Sequence, residues 1–269
     1  MERIAVYGKG GIGKSVIASG LSTYHARQGR RVLHVGCDPK RDSCLRLLGH
    51  MAERTVVDAI GHEPGAVSPS QLLNEGRWGI QCIEAGGPEP GLGCGGRGVG
   101  LTVELLEEIE LLRDELFDVA LFDVLGDVVC GGFAAPLRRG FARKVVIVLS
   151  EEPMALFAAN NIAKAVVTYG ENGVHLAGLV ANLRSPQSDS ELIFRFAQRL
   201  GSEVLTVVPR DPLVMEAERR GETVLDADSN SPAAQAIAEL AHRLDDVDCS
   251  SLVPPTPLGD DEFWEFLRK

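Results

Sequence analysis

The sequence has no CxxC pair among its cysteines and no uninterrupted apolar run of the roughly 18 to 20 residues that a membrane-spanning helix needs. It also lacks a basic stripe, because its arginine pairs are short and scattered and its formal net charge is -11. A general nucleic-acid-binding protein normally carries a basic face, so we expect neither nucleic acid nor a membrane among the partners. Met1 leads almost directly into an apolar segment, without the pattern of a cleavable signal, and we expect a cytoplasmic protein.

In a reducing compartment, the six cysteines are better interpreted as free thiols or metal ligands than as disulfides. Without a CxxC pair, a zinc site built from local knuckles is not expected, and any metal site would need ligands from distant segments. We interpret Cys37 and Cys82 as small buried core residues because they lie in or at the end of predicted strands. Cys44 and Cys249 have no glycine context, and we assign them no chemistry.

Apolar, strand-like runs alternate along the chain with segments whose apolar residues recur at three- and four-residue spacing. This alternation predicts α/β architecture: a doubly wound, mostly parallel sheet with helices on both faces. We expect a single domain over residues 1–269, with an extended C-terminal arm and a short helix from about residue 246 onward. The predicted strands are 3–7, 31–35, 79–83, 119–122, 144–149, 176–180 and 203–207. The predicted helices are 15–28, 101–112, 154–167, 190–199, 233–244 and 260–267, and the glycine-rich stretch 86–100 is expected to be a structured functional loop.

The strongest motif follows the first predicted strand and opens the first predicted helix, which is the context of a phosphate-binding P-loop. It consists of Gly8, Lys9, Gly10, Gly11, Ile12, Gly13, Lys14 and Ser15. Glycines let successive backbone N–H groups turn toward phosphate oxygens, Lys14 can reach the β- and γ-phosphates, and Ser15 can bind Mg²⁺. A glycine-rich turn with a capping serine is the alternative, but the full spacing favours nucleotide binding. The extra lysine, Lys9, resembles the deviant Walker A (SIMIBI) subgroup of P-loop NTPases, which implies that it reaches across a dimer interface to the partner's nucleotide.

Three aspartates are predicted to lie at the same edge of the sheet as the P-loop. Asp123 ends a Walker B-like strand, where a carboxylate can hold Mg²⁺ through water. Asp38 and Asp42 follow the second predicted strand in a segment typical of a nucleotide-sensing switch, and either can orient water or link to the metal. Capping of the following helix by Asp42 or Ser43 is the alternative interpretation.

Two cysteines, Cys94 and Cys130, are surrounded by glycine. Small neighbours let backbone amides approach the sulfurs of an iron-sulfur cluster and donate hydrogen bonds to them. Two ligands per chain are half of the set that a [4Fe-4S] cluster takes, and a two-fold symmetric homodimer supplies the other half. We therefore interpret these cysteines as ligands of one cluster between two subunits.

These segments resemble the nitrogenase iron protein family, including the reductase subunits of the dark-operative protochlorophyllide and chlorophyllide reductases. The resemblance extends over nearly the whole chain and rests on the P-loop and on residues 36–40, 86–98, 123–133, 154–164 and 208–211. It implies that Cys94 and Cys130 hold the cluster, that residues 123–130 with Asp127 form a second switch, and that Arg97 docks on the partner protein. It further implies that the adenine and ribose are surrounded by Asn182, Pro209, Arg210, Asp211 and Glu218.

By the same resemblance, the expected function is an ATP-dependent reductase component that passes single electrons to a nitrogenase-like heteromeric catalytic partner. Ferredoxin or flavodoxin is the expected electron donor, and MgATP and one [4Fe-4S] cluster per homodimer are the expected cofactors. The nitrogenase form is favoured by residues 158–164 and 123–133, whereas Gly95, where many nitrogenase versions have alanine, is similar to the tetrapyrrole reductases. An acceptor that acts on a sulfur compound also stays open. An alternative of another class is a partitioning-type cargo ATPase without a cluster, which would not need the two glycine-wrapped cysteines.

Overall fold

The computed structural model describes residues 1–62, 67–88, 95–126, 131–138, 141–185 and 187–268. One sheet of eight strands runs through this part of the chain. The strands are β1 (Glu2–Tyr7), β2 (Val32–Cys37), β3 (Asn74–Glu75), β4 (Gln81–Glu84), β5 (Val119–Val124), β6 (Lys144–Leu149), β7 (His175–Asn182) and β8 (Val204–Val208). Their order in the sheet is β3-β4-β2-β5-β1-β6-β7-β8. Only the two-residue β3 pairs antiparallel among these strands, and the predicted mostly parallel sheet is confirmed.

Every residue of β2, β5 and β6 is buried, which indicates that helices cover both faces of the sheet. The helix α1 packs against β5, β2 and α11, whereas α7 packs against β6 and β7. The helices are α1 (Lys14–Arg27), α2 (Leu45–Leu48), α3 (Val56–His62), α4 (Pro69–Leu72), α5 (Gly95–Glu108), α6 (Ala135–Arg138), α7 (Pro153–Thr168), α8 (Glu191–Leu200), α9 (Pro212–Arg219), α10 (Val224–Ala227), α11 (Pro232–Asp246) and α12 (Asp260–Arg268).

The predicted helix over residues 101–112 is wrong at both ends, because α5 begins at Gly95 and ends at Glu108. Its first turns contain four glycines, which the sequence pattern assigned to a loop. Glycine is required there because the helix lies directly on neighbouring backbone: a Cβ atom on Gly98 would lie 2.5 Å from the carbonyl oxygen of Gly86. Glu110, with φ of 53°, turns the chain away after the helix.

The C-terminal arm folds back onto the rest of the chain, as a short 3-10 turn and an extended stretch that lead into α12. The Asn160 side chain of α7 forms two hydrogen bonds of 2.8 Å with the backbone of Leu258, one from its amide group and one to its carbonyl oxygen. Phe263 is fully buried, with its ring centre 5.3 Å from that of Phe157 and 6.4 Å from that of Phe196. Among the described residues, no helix is long and apolar enough to cross a membrane.

A buried histidine in α1 gives the fold a dependence on pH. His25 accepts a hydrogen bond of 3.1 Å at Nδ1 from Arg30, and its Nε2 has no hydrogen-bond partner in the described part of the chain. Burial, followed by the charge of Arg30, lowers the pKa of His25 to about 4. Below its ordinary pKa of about 6.5, the unfolded chain binds a proton that the folded chain does not, so stability falls as the pH drops toward 4.

Between pH 7 and pH 5 the wild type is expected to lose unfolding free energy, because its unfolded chain binds a proton at His25. We predict that His25→Leu loses about 2 kcal/mol less over the same range, because the variant has no proton to bind at this position. Arg30 keeps its ion pair with Asp245 at 2.7 Å in this variant, so no buried charge is left alone. Urea unfolding at the two pH values measures the difference. An identical pH dependence in the wild type and the variant would contradict the prediction.

Candidate nucleotide and cluster site

The candidate site lies at the carboxyl edge of the sheet, where the strand order reverses at β1. The P-loop connects β1 to α1 and begins at Gly8, which has φ of 146° and whose missing side chain leaves room for the carbonyl oxygen of Val148. A cleft of about 430 Å³ opens beside the loop. Among the residues predicted to bind nucleotide or to act in hydrolysis, its lining contains Gly10, Gly11, Gly13, Lys14, Ser15, Asp38, Asp42, Asn182, Pro209, Arg210, Asp211 and Glu218. The predicted residues Gly8, Lys9, Ile12 and Asp123 are described but do not line the cleft.

The P-loop is held in place by a side chain at the end of β7. Asn182 donates a hydrogen bond of 2.7 Å from Nδ2 to the carbonyl oxygen of Ile12. Gly13 has φ of 103°, and a Cβ atom at this position would overlap the Asn182 amide. The Lys14 ammonium donates to the carbonyl oxygen of Lys9 at 3.3 Å, so it curls back over the loop. With no acidic residue in the first turn of α1, this arrangement presents N–H groups, a helix N-terminus and an ammonium group to the cleft, as an oligophosphate requires.

The segment between β2 and α2, residues 38–44, forms the first switch segment at the mouth of the cleft. Asp38 accepts a hydrogen bond of 2.9 Å from the Lys40 backbone, and burial raises the pKa of the Asp38 carboxyl above its ordinary value. Arg41 has φ of 62°, a backbone conformation that costs energy for a non-glycine residue, and its guanidinium pairs with Asp58 of α3 at 3.1 Å. The alternative that Asp42 or Ser43 caps α2 is wrong, because Cys44 is the N-cap residue and has no side-chain cap.

Asp123 lies on β5 between β1 and β2, opposite Val6 and Gly36 in the register of the sheet. Its Oδ2 accepts a hydrogen bond of 2.6 Å from the Ser43 hydroxyl, which ties the first switch segment to this carboxylate. Its Oδ1 is buried without a hydrogen-bond partner among the described residues. A buried carboxylate oxygen that has no partner in the described ranges, on the strand next to β1 and its P-loop, fits a Mg²⁺ ion held through water, because buried polar atoms are normally satisfied.

His34, on β2, lies behind this carboxylate. Its Nε2 is 2.9 Å from the Ser43 hydroxyl and its Nδ1 is 2.8 Å from the hydroxyl of Ser22 on α1. Burial lowers the pKa of His34 to about 4, so the imidazole is neutral at pH 7. The sequence pattern gave no reason to select this histidine, since it occupies an ordinary position in an apolar strand.

Glu84, at the end of β4, is a second buried acid that the sequence patterns did not identify. One of its oxygens accepts a hydrogen bond of 2.6 Å from the Cys44 backbone, and a Cβ atom on Gly36 would overlap the carboxyl group. Burial raises the pKa of Glu84 to about 8. Burial therefore favours the protonated, uncharged form of Glu84.

One residue caps two helices in the wall of the cleft that is predicted to face the adenine and ribose. Asp211 accepts hydrogen bonds of 3.0 Å from the Leu213 backbone at the start of α9 and of 3.2 Å from the Ala233 backbone in α11. Both of its oxygens are therefore used within the protein, although the residue lines the cleft. Pro209 and Arg210 come just before this cap in the same wall.

Two arginines in the cleft were missed by sequence reasoning. Arg46 of α2 forms an ion pair with Glu218 of α9 and thus joins the first switch region to the predicted ribose side. Arg184, after β7, donates a hydrogen bond of 3.1 Å to the carbonyl oxygen of Gly11. Both lie outside the recognised motif segments, so only the three-dimensional arrangement assigns them to the site.

The predicted cluster ligands Cys94 and Cys130, and the predicted switch residue Asp127, lie outside the described residues. Cys37 and Cys82 are fully buried, as predicted for small core residues. No group of three or more His, Cys, Asp or Glu side chains in the described ranges is placed to hold a metal ion.

The residues that flank these gaps are close to each other. Gly96 lies in the first turn of α5, and Gly132 begins the segment that leads to α6. A Cβ atom on Gly132 would overlap the backbone of Gly96, so the two segments touch backbone to backbone. Arg97, the predicted docking residue, is exposed beside this contact.

A family model described as "4Fe-4S iron sulfur cluster binding proteins, NifH/frxC family" matches residues 2–269. The chain belongs to this family. It is a NifH-family P-loop ATPase, and the predicted P-loop NTPase fold is confirmed.

Solved structures with similar folds include several ATPases outside the NifH/frxC family. The cell division ATPase MinD of Pyrococcus furiosus matches with a TM-score of 0.72 and 24% identity, over 91% of this chain and 99% of that chain. A ParA family ATPase from Chlorobium tepidum matches with a TM-score of 0.70 and 16% identity, over 90% and 98% of the two chains. Cobyrinic acid a,c-diamide synthase from Mycobacterium smegmatis, solved with ADP and magnesium, has a TM-score of 0.68 and 20% identity, over 96% and 100%. At these identities the matches show the fold alone.

We predict that Gly13→Ala weakens the binding of MgADP at least about tenfold, a loss of about 1.4 kcal/mol, because the added methyl group displaces Asn182 from beneath the P-loop. Gly29→Ala is the matched control, since Gly29 also has a left-handed φ, of 80°, but has open space around its Cβ position. Both variants are expected to lose roughly 1 to 2 kcal/mol of stability through backbone strain. Calorimetric titration with MgADP should separate them, and equal affinities in the two variants would contradict the assignment.

Proposed function

We propose that the protein is the ATP-dependent reductase component of a nitrogenase or nitrogenase-like enzyme. In this role the whole chain acts as one iron-protein domain, and two copies form a homodimer. Cys94 and Cys130 of each copy hold one shared [4Fe-4S] cluster, which supplies single electrons at low potential when bound. The dimer passes these electrons to a heteromeric catalytic partner and receives them from ferredoxin or flavodoxin in the cytoplasm.

The observation that carries the proposal is the backbone contact between Gly96 and Gly132. Each glycine lies two residues after one of the cysteines in the sequence. The described residues that follow the two cysteines therefore meet at one point, and this supports the proposal that both cysteines serve a single cluster. A cargo ATPase, which holds no cluster, has no need of this contact.

The first switch segment also touches the region before and after the Cys94 stretch. A Cβ atom on Gly95 would lie 2.5 Å from Cγ of Pro39, and one on Gly87 would lie 2.6 Å from Cβ of Pro39. Gly126, within the proposed second switch, similarly approaches the backbone of Gly10, with 3.1 Å between its Cβ position and the Gly10 nitrogen. A change in the phosphates bound at the P-loop can thus displace the residues next to both cysteine segments through a few direct contacts.

In the proposed cycle, Lys14 and the P-loop amides hold the phosphates of ATP. Ser15 and Asp123 would hold Mg²⁺, which would offset the negative charge of the phosphates. Lys9 reaches the nucleotide of the partner subunit, so hydrolysis follows the approach of the two copies. Asp38, Asp42 and Asp127 are the candidates that orient the attacking water. Loss of the γ-phosphate releases the two switch segments and separates the reductase from the partner on which Arg97 docks.

On the base side, Asn182, Pro209, Arg210, Asp211 and Glu218 surround the adenine and ribose in this proposal. Asp211 contributes by fixing the start of α9 rather than by a free carboxylate, because both of its oxygens accept backbone hydrogen bonds. A tetrapyrrole or sulfur-compound reductase would use the same reductase chemistry with another acceptor. Gly95, whose contact with Pro39 leaves no room for a methyl group, is the feature that favours the tetrapyrrole branch.

The decisive experiment is anaerobic purification with iron and sulfide quantitation and electron paramagnetic resonance after dithionite reduction. We expect about four irons per dimer and a reduced-cluster signal in the wild type, and the loss of both in Cys94→Ser and Cys130→Ser. Cys249→Ser, which changes a cysteine that is neither buried nor glycine-flanked, is the control that keeps the cluster. An iron-free dimer that hydrolyses ATP and cannot be reconstituted would overturn the proposal in favour of a cargo ATPase.

A second test uses the glycine contact itself. We predict that Gly132→Ala lowers the iron content of the dimer to less than half, because a methyl group cannot fit against the Gly96 backbone. The matched control is Gly131→Ala, whose added Cβ would meet, among the described residues, just the Arg138 guanidinium at an ordinary 3.5 Å. Binding of MgADP should be the same in both, since neither glycine lines the nucleotide cleft. Normal iron content in both variants would show that the contact is not needed for cluster binding.

A further inference from the structure

Four buried polar side chains connect α1 to the candidate metal carboxylate. Ser22 of α1, His34 of β2, Ser43 of the first switch segment and Asp123 of β5 form a chain of hydrogen bonds of 2.8, 2.9 and 2.6 Å. All four residues are buried. An apolar residue at position 34, with apolar residues in place of its serine partners, would fill the same core space, so this chain of hydrogen bonds indicates a role beyond packing.

The hydrogens of this chain can point in only one direction. Asp123 as a carboxylate only accepts, so the single hydroxyl hydrogen of Ser43 is donated to its Oδ2. The Ser43 oxygen must then accept from His34, which places the imidazole hydrogen on Nε2. The unprotonated Nδ1 in turn accepts from the Ser22 hydroxyl. The Asp123 carboxylate therefore sets the tautomer of His34, Ser22 completes the chain by donating to Nδ1, and His34 in turn fixes the hydroxyl of Ser43.

This arrangement determines which oxygen of Asp123 is left for a ligand. Ser43 occupies Oδ2, while Oδ1 is buried with no hydrogen-bond partner among the described residues. If His34 did not hold the Ser43 oxygen, the hydroxyl could rotate away and the carboxylate could turn. Some residues do not touch a metal but orient its carboxylate ligand by a hydrogen bond. Removing such a residue typically lowers the metal affinity by about 10- to 100-fold.

We propose that His34 is a positioning residue for Mg²⁺-dependent nucleotide binding: through Ser43 it fixes the Asp123 carboxylate and joins the first switch segment to the metal. The inference rests on the proposed role of Asp123 as the Mg²⁺ carboxylate, but it does not depend on the iron-sulfur cluster or on the identity of the electron acceptor.

The test compares the affinity for ADP with Mg²⁺ and with a chelator, measured by calorimetry on the anaerobically purified dimer. In His34→Leu the gain in affinity that Mg²⁺ provides should fall about tenfold, while metal-free ADP binds as in the wild type. His34→Gln should recover most of the gain, because its amide nitrogen can reach the position of Nε2. His25→Leu, which removes another buried histidine away from the cleft, should leave the gain unchanged.

Three results would overturn the inference: an undiminished Mg²⁺ effect in His34→Leu, an equal loss of affinity with and without the metal, or no difference between the leucine and glutamine variants. If His34→Leu does not fold, His34→Asn takes its place, because the shorter amide can bond Ser22 but does not reach Ser43. A wild type whose ADP affinity does not respond to Mg²⁺ would overturn the role of Asp123 together with this inference. An iron-free wild type with a normal Mg²⁺ response would overturn only the reductase proposal.

Discussion

Backbone segments meet at the carboxyl edge of this sheet at separations that leave no room for a side chain. The P-loop lies on the end of β6 at Gly8, and the residues that follow the two cysteines touch at Gly96 and Gly132. Close packing of this kind transmits displacement, because no flexible side chain lies between the parts to absorb it. The position of the nucleotide cleft relative to the Gly96–Gly132 contact follows from contacts of this kind.

The first switch segment is the part of the chain in which these constraints converge. Ser43 joins it to Asp123, Pro39 packs on the residues around the Cys94 stretch, and Arg41 is paired with Asp58 of α3. The left-handed backbone at Arg41 shows that these ties hold the segment in a conformation that its sequence does not favour. A strained segment with several discrete anchors is suited to switch between two arrangements rather than to deform gradually.

The strands and long helices could be predicted because apolar periodicity reports burial directly, and the P-loop because its spacing is tied to phosphate geometry. The start of α5 could not be predicted from the sequence, because glycines indicate a loop unless the neighbouring backbone that requires them is known. The same limit applies inside the site. Asp211 looked like a ligand-binding acid, but its partners are N–H groups of two helices, one of them 22 residues further along the chain. His34 acquires significance only through Ser22 and Ser43, which the fold brings to its two ring nitrogens.

The folded-back arm has a consequence for the behaviour of the protein in solution. Phe263 covers the rings of Phe157 and Phe196, and the arm is fixed to α7 by the paired hydrogen bonds between Asn160 and Leu258. A cut in the extended stretch before α12 would uncover a contiguous aromatic surface, and surfaces of that kind drive aggregation. The packing of the last residues therefore bears on the colloidal solubility of the protein as well as on its fold.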